Sequence, residues 1–142
     1  MENSSINTVS KKEISPLAHD IVAILIEHKG LDVRLYNVTG ESSITDFYIN
    51  VTGRSSTQVD ALAYLVCDKL SERGIKELRV EGREGRAWIL VDYGDVILNV
   101  FDKPSRDFYS FDRHLPEGSE VDIADIVLEV DKKLQINNAE EV

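Results

Sequence analysis

The chain has 142 residues, a formal net charge of −10, 42% apolar residues and 30% charged residues. That length suits one domain with a real core and is too short for two ordinary ones. The charge repels a phosphate backbone and lacks a basic footprint, so no direct sequence-specific nucleic-acid binding is expected. It attracts basic partners, although negative charge also serves solubility alone. The longest apolar run, Ile21 to Ile26, falls far short of the ~20 residues that span a bilayer. The start, Met1-Glu2-Asn3-Ser4-Ser5, lacks the basic and apolar segments of a signal peptide. No membrane partner and a cytoplasmic location are therefore expected. The single cysteine, Cys67, cannot form an internal disulfide, which fits a reducing compartment. Its expected role is packing, since buried cysteines act mostly as small hydrophobes.

Residues 1–14 are polar and aperiodic and read as a flexible tail. Ser15 then suits a helix N-cap and Pro16 the first helical position. Leu17, Ile21, Ile24, Leu25 and His28 follow at helical spacing, and Gly30 is the expected stop. Residues 32–38 and Phe47 to Val51 read as two strands of a hairpin, separated by a turn at Thr39 to Ser43. Ser55 and Gln58 form a capping box ahead of the apolar face Val59, Leu62, Ala63, Val66 and Leu70. Lys69 and Arg73 complement the dipole at the end of that helix, and Gly74 closes it.

Three more strands are expected at about 77–81, 87–92 and 95–101, punctuated by Gly82, Gly85 and Gly94. A short helix begins at Pro104-Ser105-Arg106 and carries Phe108 and Phe111. Ile123, Ile126, Val127, Val130 and Leu134 fit a terminal helix followed by an acidic tail. The order α-β-β-α-β-β-β-α implies one α/β domain, a mixed five-stranded sheet with flanking helices. The expected division is a tail over 1–14, the main domain over 15–118, and a C-terminal helix with its tail over 119–142.

The segment from Trp88 to Phe101 carries most of the functional information. With Tyr93-Gly94 as a two-residue turn, Asp92 would face Asp95, Leu90 would face Ile97, and Trp88 would face Asn99. Alternation then gives one aliphatic face: Ala87, Ile89, Val91, Val96, Leu98 and Val100. The other face holds Trp88, Leu90, Asp92, Asp95, Ile97, Asn99 and Phe101. Facing carboxylates repel and need solvent or a cation. A Trp anchor in an apolar centre with a charged rim resembles a protein-binding patch. The competing reading is ordinary core under a covering helix, because strands buried on both sides also read as apolar runs.

Catalytic patterns are weak. Asp92-x-Gly-Asp95 is common turn chemistry, and His19, His28 and His114 are scattered. Gly53-Arg54-Ser55-Ser56 opens a helix whose N–H groups suit an anion, but it has neither P-loop nor GxGxxG spacing. A nucleotidyltransferase would carry Asp-x-Asp on the next strand, where this chain has Glu77-Leu78-Arg79-Val80-Glu81-Gly82. No enzyme, cofactor or metal is expected.

Several segments meet a known family in order and spacing over about residues 15–115. They are Ser42-Ser43-Ile44-Thr45-Asp46-Phe47, Thr52-Gly53-Arg54-Ser55-Ser56, Val80-Glu81-Gly82, Trp88 through Val96, and Arg106-Asp107-Phe108-Tyr109. The chain resembles the ribosomal silencing factor, or Iojap-like, family. The resemblance implies a nucleotidyltransferase-like fold without the catalytic carboxylates. It also implies binding to large-subunit ribosomal protein fourteen, on the face that meets the small subunit. Subunit joining would be blocked and translation lowered. A homodimer when free is implied too.

The family's contact surface maps to Trp88, Asp92 and Asp95. With the alternation argument, the expected partner-binding residues are Trp88, Leu90, Asp92, Tyr93, Asp95, Ile97, Asn99 and Phe101. Two features depart from the family. Asn99 stands where His is common, and Phe111-Asp112-Arg113-His114-Leu115 replaces an ending that carries a second Trp. The terminal helix also runs past the family's usual end.

Overall fold

A computed structural model describes residues 13–141, with side chains as far as residue 139. The expected polar tail thus lies outside the described residues, apart from Glu13 and Ile14. The chain order is α1 (Pro16–Glu27), β1 (Leu31–Asn37), β2 (Phe47–Gly53), α2 (Ser56–Ser71), β3 (Arg79–Glu81), β4 (Trp88–Asp92) and β5 (Val96–Asp102). Then come α3 (Lys103–Tyr109), a 3-10 turn (Phe111–His114), β6 (Glu120–Val121) and α4 (Ala124–Glu141). The sheet is mixed and has six strands in the order β3-β4-β5-β2-β1-β6. The expected count of five missed β6, a two-residue strand paired with Leu35 and Tyr36 of β1. The acidic residues Glu140 and Glu141 continue α4 rather than forming a separate tail.

The helix starts follow from their caps. Ser15 Oγ accepts the Ala18 N–H at 3.1 Å, and Ser55 Oγ accepts the Gln58 N–H at 3.1 Å. The return bond of the second cap goes from the Arg54 N–H to Gln58 Oε1, one residue before the position a capping box predicts. At the end of α1 the left-handed residue is Lys29 (φ 68°), not Gly30. Gly30 N–H bonds to Leu25 O and Lys29 N–H to Ile26 O, the pattern of a Schellman stop.

The centre of the sheet is the parallel pair β2–β5, in register from Phe47↔Val96 to Gly53↔Asp102. Both strands are buried on both faces except at Asp102, which explains their continuous apolar runs. One face packs on α1 and α2. Ala18, Ile21, Val22 and Leu25 meet Val59, Leu62, Val66 and Leu70 over Leu35, Ile49, Val51, Ile89, Val91, Leu98 and Val100. Helix α4 lies along α1 and adds Ile126 and Val130 to this core.

The other face carries a smaller cluster of Tyr36, Val38, Tyr48 and Ile97, closed by Leu90, Phe111 and Leu115. The α3 segment and the 3-10 turn therefore form a partial second cover. They put a lid over half of a face that alternation alone leaves open.

Candidate partner-binding face

The β4–β5 hairpin turns two residues away from its expected register. Asp92 pairs with Ile97, Leu90 with Asn99 and Trp88 with Phe101. The turn is centred on Gly94-Asp95, with the Tyr93 N–H bonded to Val96 O at 2.9 Å. Three contacts hold it there. Asp92 Oδ1 accepts the Gly94 N–H at 2.7 Å, and Gly94 adopts φ 87°. Thr45 Oγ1 donates to Gly94 O at 2.9 Å. The Asp95 carbonyl accepts both the Asp46 and Phe47 N–H groups. A shift of two keeps every side chain on its face but changes its neighbours. The expected Asp92–Asp95 confrontation is thus absent. Asp92 Oδ2 instead accepts Arg79 Nε at 3.1 Å.

The eight expected contact residues divide into three groups. Ile97 (3% exposed), Asn99 (0%) and Phe101 (0%) lie beneath the face rather than on it. Burial follows from the α3 segment and the 3-10 turn folding back over β5. Tyr93 turns toward the helix side, packs on the main core, and has its hydroxyl enclosed. Burial, and then neighbouring Cys67, push its phenol well above the usual range. The Cys67 thiol is pushed up chiefly by burial. Trp88, Leu90 and Asp92 are half-buried, and Asp95 is exposed at the hairpin tip.

Trp88 sits in an aromatic cluster. Its ring centroid lies 4.9 Å from Phe101, 5.1 Å from Tyr109 and 5.8 Å from Phe111. Its Nε1–H donates to Asn99 Oδ1 at 2.9 Å, and Asn99 Nδ2 donates to Asn50 Oδ1 at 3.1 Å. The outer edge of this cluster is made by α3. Tyr109 is 50% exposed, and Phe108 beside it is 80% exposed. These two aromatics extend the face and were not among the expected contacts. Their signal lay in the Arg106-x-x-Tyr109 motif, on a helix too short for periodicity to orient.

Arg106 fixes α3 in place. This buried guanidinium bonds Asp112 through Nε and Nη2, both at 3.1 Å. Its Nη1 reaches Asp32 O at 2.8 Å and Thr52 Oγ1 at 3.0 Å. Tyr36 Oη donates to Asp112 Oδ2 at 2.7 Å. Burial alone would raise the Asp112 carboxyl; the bonds from Arg106 and Tyr36 outweigh it and hold the group below its ordinary range.

Among the described residues no group of three or more His, Cys, Asp or Glu is placed to hold a metal ion. At the start of α2, the Gln58 N–H is taken by Ser55 and the Arg54 N–H by Gln58. No described helix is long and apolar enough to cross a membrane.

The structure is a small mixed α/β fold with an exposed aromatic edge, Phe108 and Tyr109, beside half-buried Trp88. A family model described as "Ribosomal silencing factor during starvation" matches residues 11–141. The chain is 32% identical over 119 residues to ribosomal silencing factor RsfS of Halalkalibacterium halodurans, which covers 84% of this chain and 99% of that one. A crystal structure of a protein from Chromobacterium violaceum superposes with a TM-score of 0.68 at 32% identity, covering 75% of this chain and 95% of that one. A more distant mouse relative, 24% identical over 96 residues (66% of this chain, 42% of that one), is named mitochondrial assembly of ribosomal large subunit protein 1. The chain belongs to the ribosomal silencing factor (Iojap-like) family. The family match extends through α4, so that helix is not an addition beyond the family's reach.

Proposed function

We propose that the chain represses translation in the cytoplasm by binding large-subunit ribosomal protein fourteen and blocking association of the small and large subunits. A bound globular domain and the incoming small subunit cannot share one space, so the mechanism needs no chemistry. The observation that carries this reading is the exposed aromatic edge of Phe108 and Tyr109 next to the half-buried Trp88. Aromatics of this kind, set in a packed surround, are the usual energetic centres of interfaces. Leu90 adds apolar area, and exposed Asp95 meets Lys or Arg on the partner. Asp92 contributes less charge than its sequence position implies, because Arg79 and the Gly94 N–H already occupy it.

The test is sedimentation of the purified protein with separated ribosomal subunits, the small subunits added last. Co-migration with large subunits and fewer joined ribosomes are expected. Trp88→Ala should weaken that binding by ~2 kcal/mol or more. Phe108→Ala removes an exposed ring and leaves the fold intact, so it checks the face without a stability effect. Unchanged binding in both variants would move the interface elsewhere.

The name of the mouse relative favours a second reading, action during assembly of the large subunit. Depletion separates the two: accumulated large-subunit precursors support assembly, whereas complete but freely joining subunits support silencing. A nucleotide-binding transferase is the weakest reading. A nucleotidyltransferase-like fold, which the family resemblance implies, would lack its catalytic carboxylates here, since β3 carries Arg79-Val80-Glu81 and no carboxylate pair. A homodimer of the free protein would use apolar side chains outside this face, such as Leu128 and Ile136 on α4.

A further inference from the structure

Trp88 is the only tryptophan of the chain. Its ring is half-buried, and its one polar atom is directed inward to a buried amide. That amide, Asn99, is fully buried and stands directly across the parallel β2–β5 pair from Asn50, also fully buried. The three groups form a chain from the docking face into the sheet: Nε1–H to Asn99 Oδ1 at 2.9 Å, then Asn99 Nδ2 to Asn50 Oδ1 at 3.1 Å. The Asn50 amide at the far end lies close enough to Asp112 to help hold that carboxyl down, although its Nδ2 completes no hydrogen bond. Two adjacent buried amides at the centre of the sheet are a costly choice. Apolar residues of similar shape would serve stability equally well. Their presence calls for a role other than stability, and the geometry supplies one. The amide dyad acts on a side chain that spans core and surface.

We propose that Asn99, held by Asn50, is a positioning residue for partner binding: it fixes the indole of Trp88 in the orientation that the partner meets. This rests on the reading of Trp88 as part of the docking face. Stacking against Phe101, Tyr109 and Phe111 confines the plane of the ring, but apolar contacts do not distinguish one in-plane orientation from another. The directional Nε1–H bond does. An indole already held in its bound orientation loses little freedom on association, whereas a mobile one pays that entropy at the interface.

The wild-type protein offers a direct measurement, because its amide spectrum contains one indole N–H resonance. That proton should be protected from exchange with solvent; exchange at the rate of a free indole would overturn the proposal. The decisive variant is the double replacement Asn50→Leu, Asn99→Leu. Replacing both amides by apolar groups of similar size leaves no orphaned amide, and the N–H of half-buried Trp88 can turn to water, so folding should survive. Trp88 fluorescence anisotropy should fall, and the Kd for large subunits should rise by ~tenfold, the scale of one freed side chain. Wild-type affinity in a folded double variant would overturn the positioning role.

Asn99→His gives a second readout. A neutral imidazole still offers an acceptor nitrogen to Trp88, and a protonated one does not. Binding by this variant should weaken as pH falls through the imidazole range while the wild type stays flat. Parallel pH profiles would count against the proposal. Trp88→Ala separates the two levels of inference. If it binds normally, the docking face is wrong and the positioning role falls with it. If it binds poorly while the double leucine variant binds well, only the positioning role is lost.

Discussion

A Cβ at Gly82 would lie 2.0 Å from the Trp88 carbonyl oxygen, and Gly82 also adopts φ 88°. Both facts make glycine obligatory where the β3 edge strand passes the start of β4. Gly82→Ala should therefore destabilise the protein by ~3 kcal/mol or more, measured by urea denaturation, since the clash is with backbone and cannot be relieved by a rotamer. A loss under ~1 kcal/mol would mean that the β3–β4 connection yields easily. The sequence marks Gly82 as punctuation, but only the structure shows that it protects the backbone of Trp88. The same limit applies to Asn99. Alternation places it on the face of Trp88 and cannot reveal that its amide is spent inward. Side-chain direction along a strand is periodic; what covers the strand depends on residues some ten positions later.

At the scale of elements, capped and periodic segments were legible and short ones were not. Ser15-Pro16 and Ser55 start their helices where capping chemistry requires. The two-residue β6 and the 3-10 turn have too few residues to carry a period, and their positions come from tertiary partners. The decisive partner is Asp112, which ties the 3-10 turn to Arg106 of α3 and to Tyr36 of β1. Its carboxyl lies below the ordinary range in the folded protein. A depressed pKa contributes stability that is complete above the unfolded carboxylate value and is lost as pH falls through the folded value. The wild type should thus lose melting temperature on acidification below about pH 4. Asp112→Asn should start lower at neutral pH and fall less steeply over that window. If the two melting curves ran parallel with pH, the clamp would not be an ionic one. Because α3 also carries Phe108 and Tyr109, loosening the clamp should weaken large-subunit binding along with stability.

For the whole molecule, the net charge of −10 sets a problem that the proposed partner makes specific. A ribosomal subunit is mostly phosphate at long range, so an acidic protein is repelled on approach. A basic ribosomal protein attracts it only at short range, through groups such as exposed Asp95. Salt screens both effects, over a Debye length of about 10 Å at 0.1 M. The two cases therefore respond differently. Binding to the isolated ribosomal protein loses attraction alone, and its affinity should fall steadily as salt rises. Binding to the intact subunit loses attraction and repulsion together, and its affinity should change much less over the same range. Titrations against both targets from about 0.05 to 0.3 M salt, over which the Debye length shortens by roughly half, measure the difference. Asp95→Asn should flatten the first curve and barely alter the second. Equal slopes for the two targets would mean that the acidic surface serves solubility, leaving the aromatic edge of α3 and Trp88 to supply recognition.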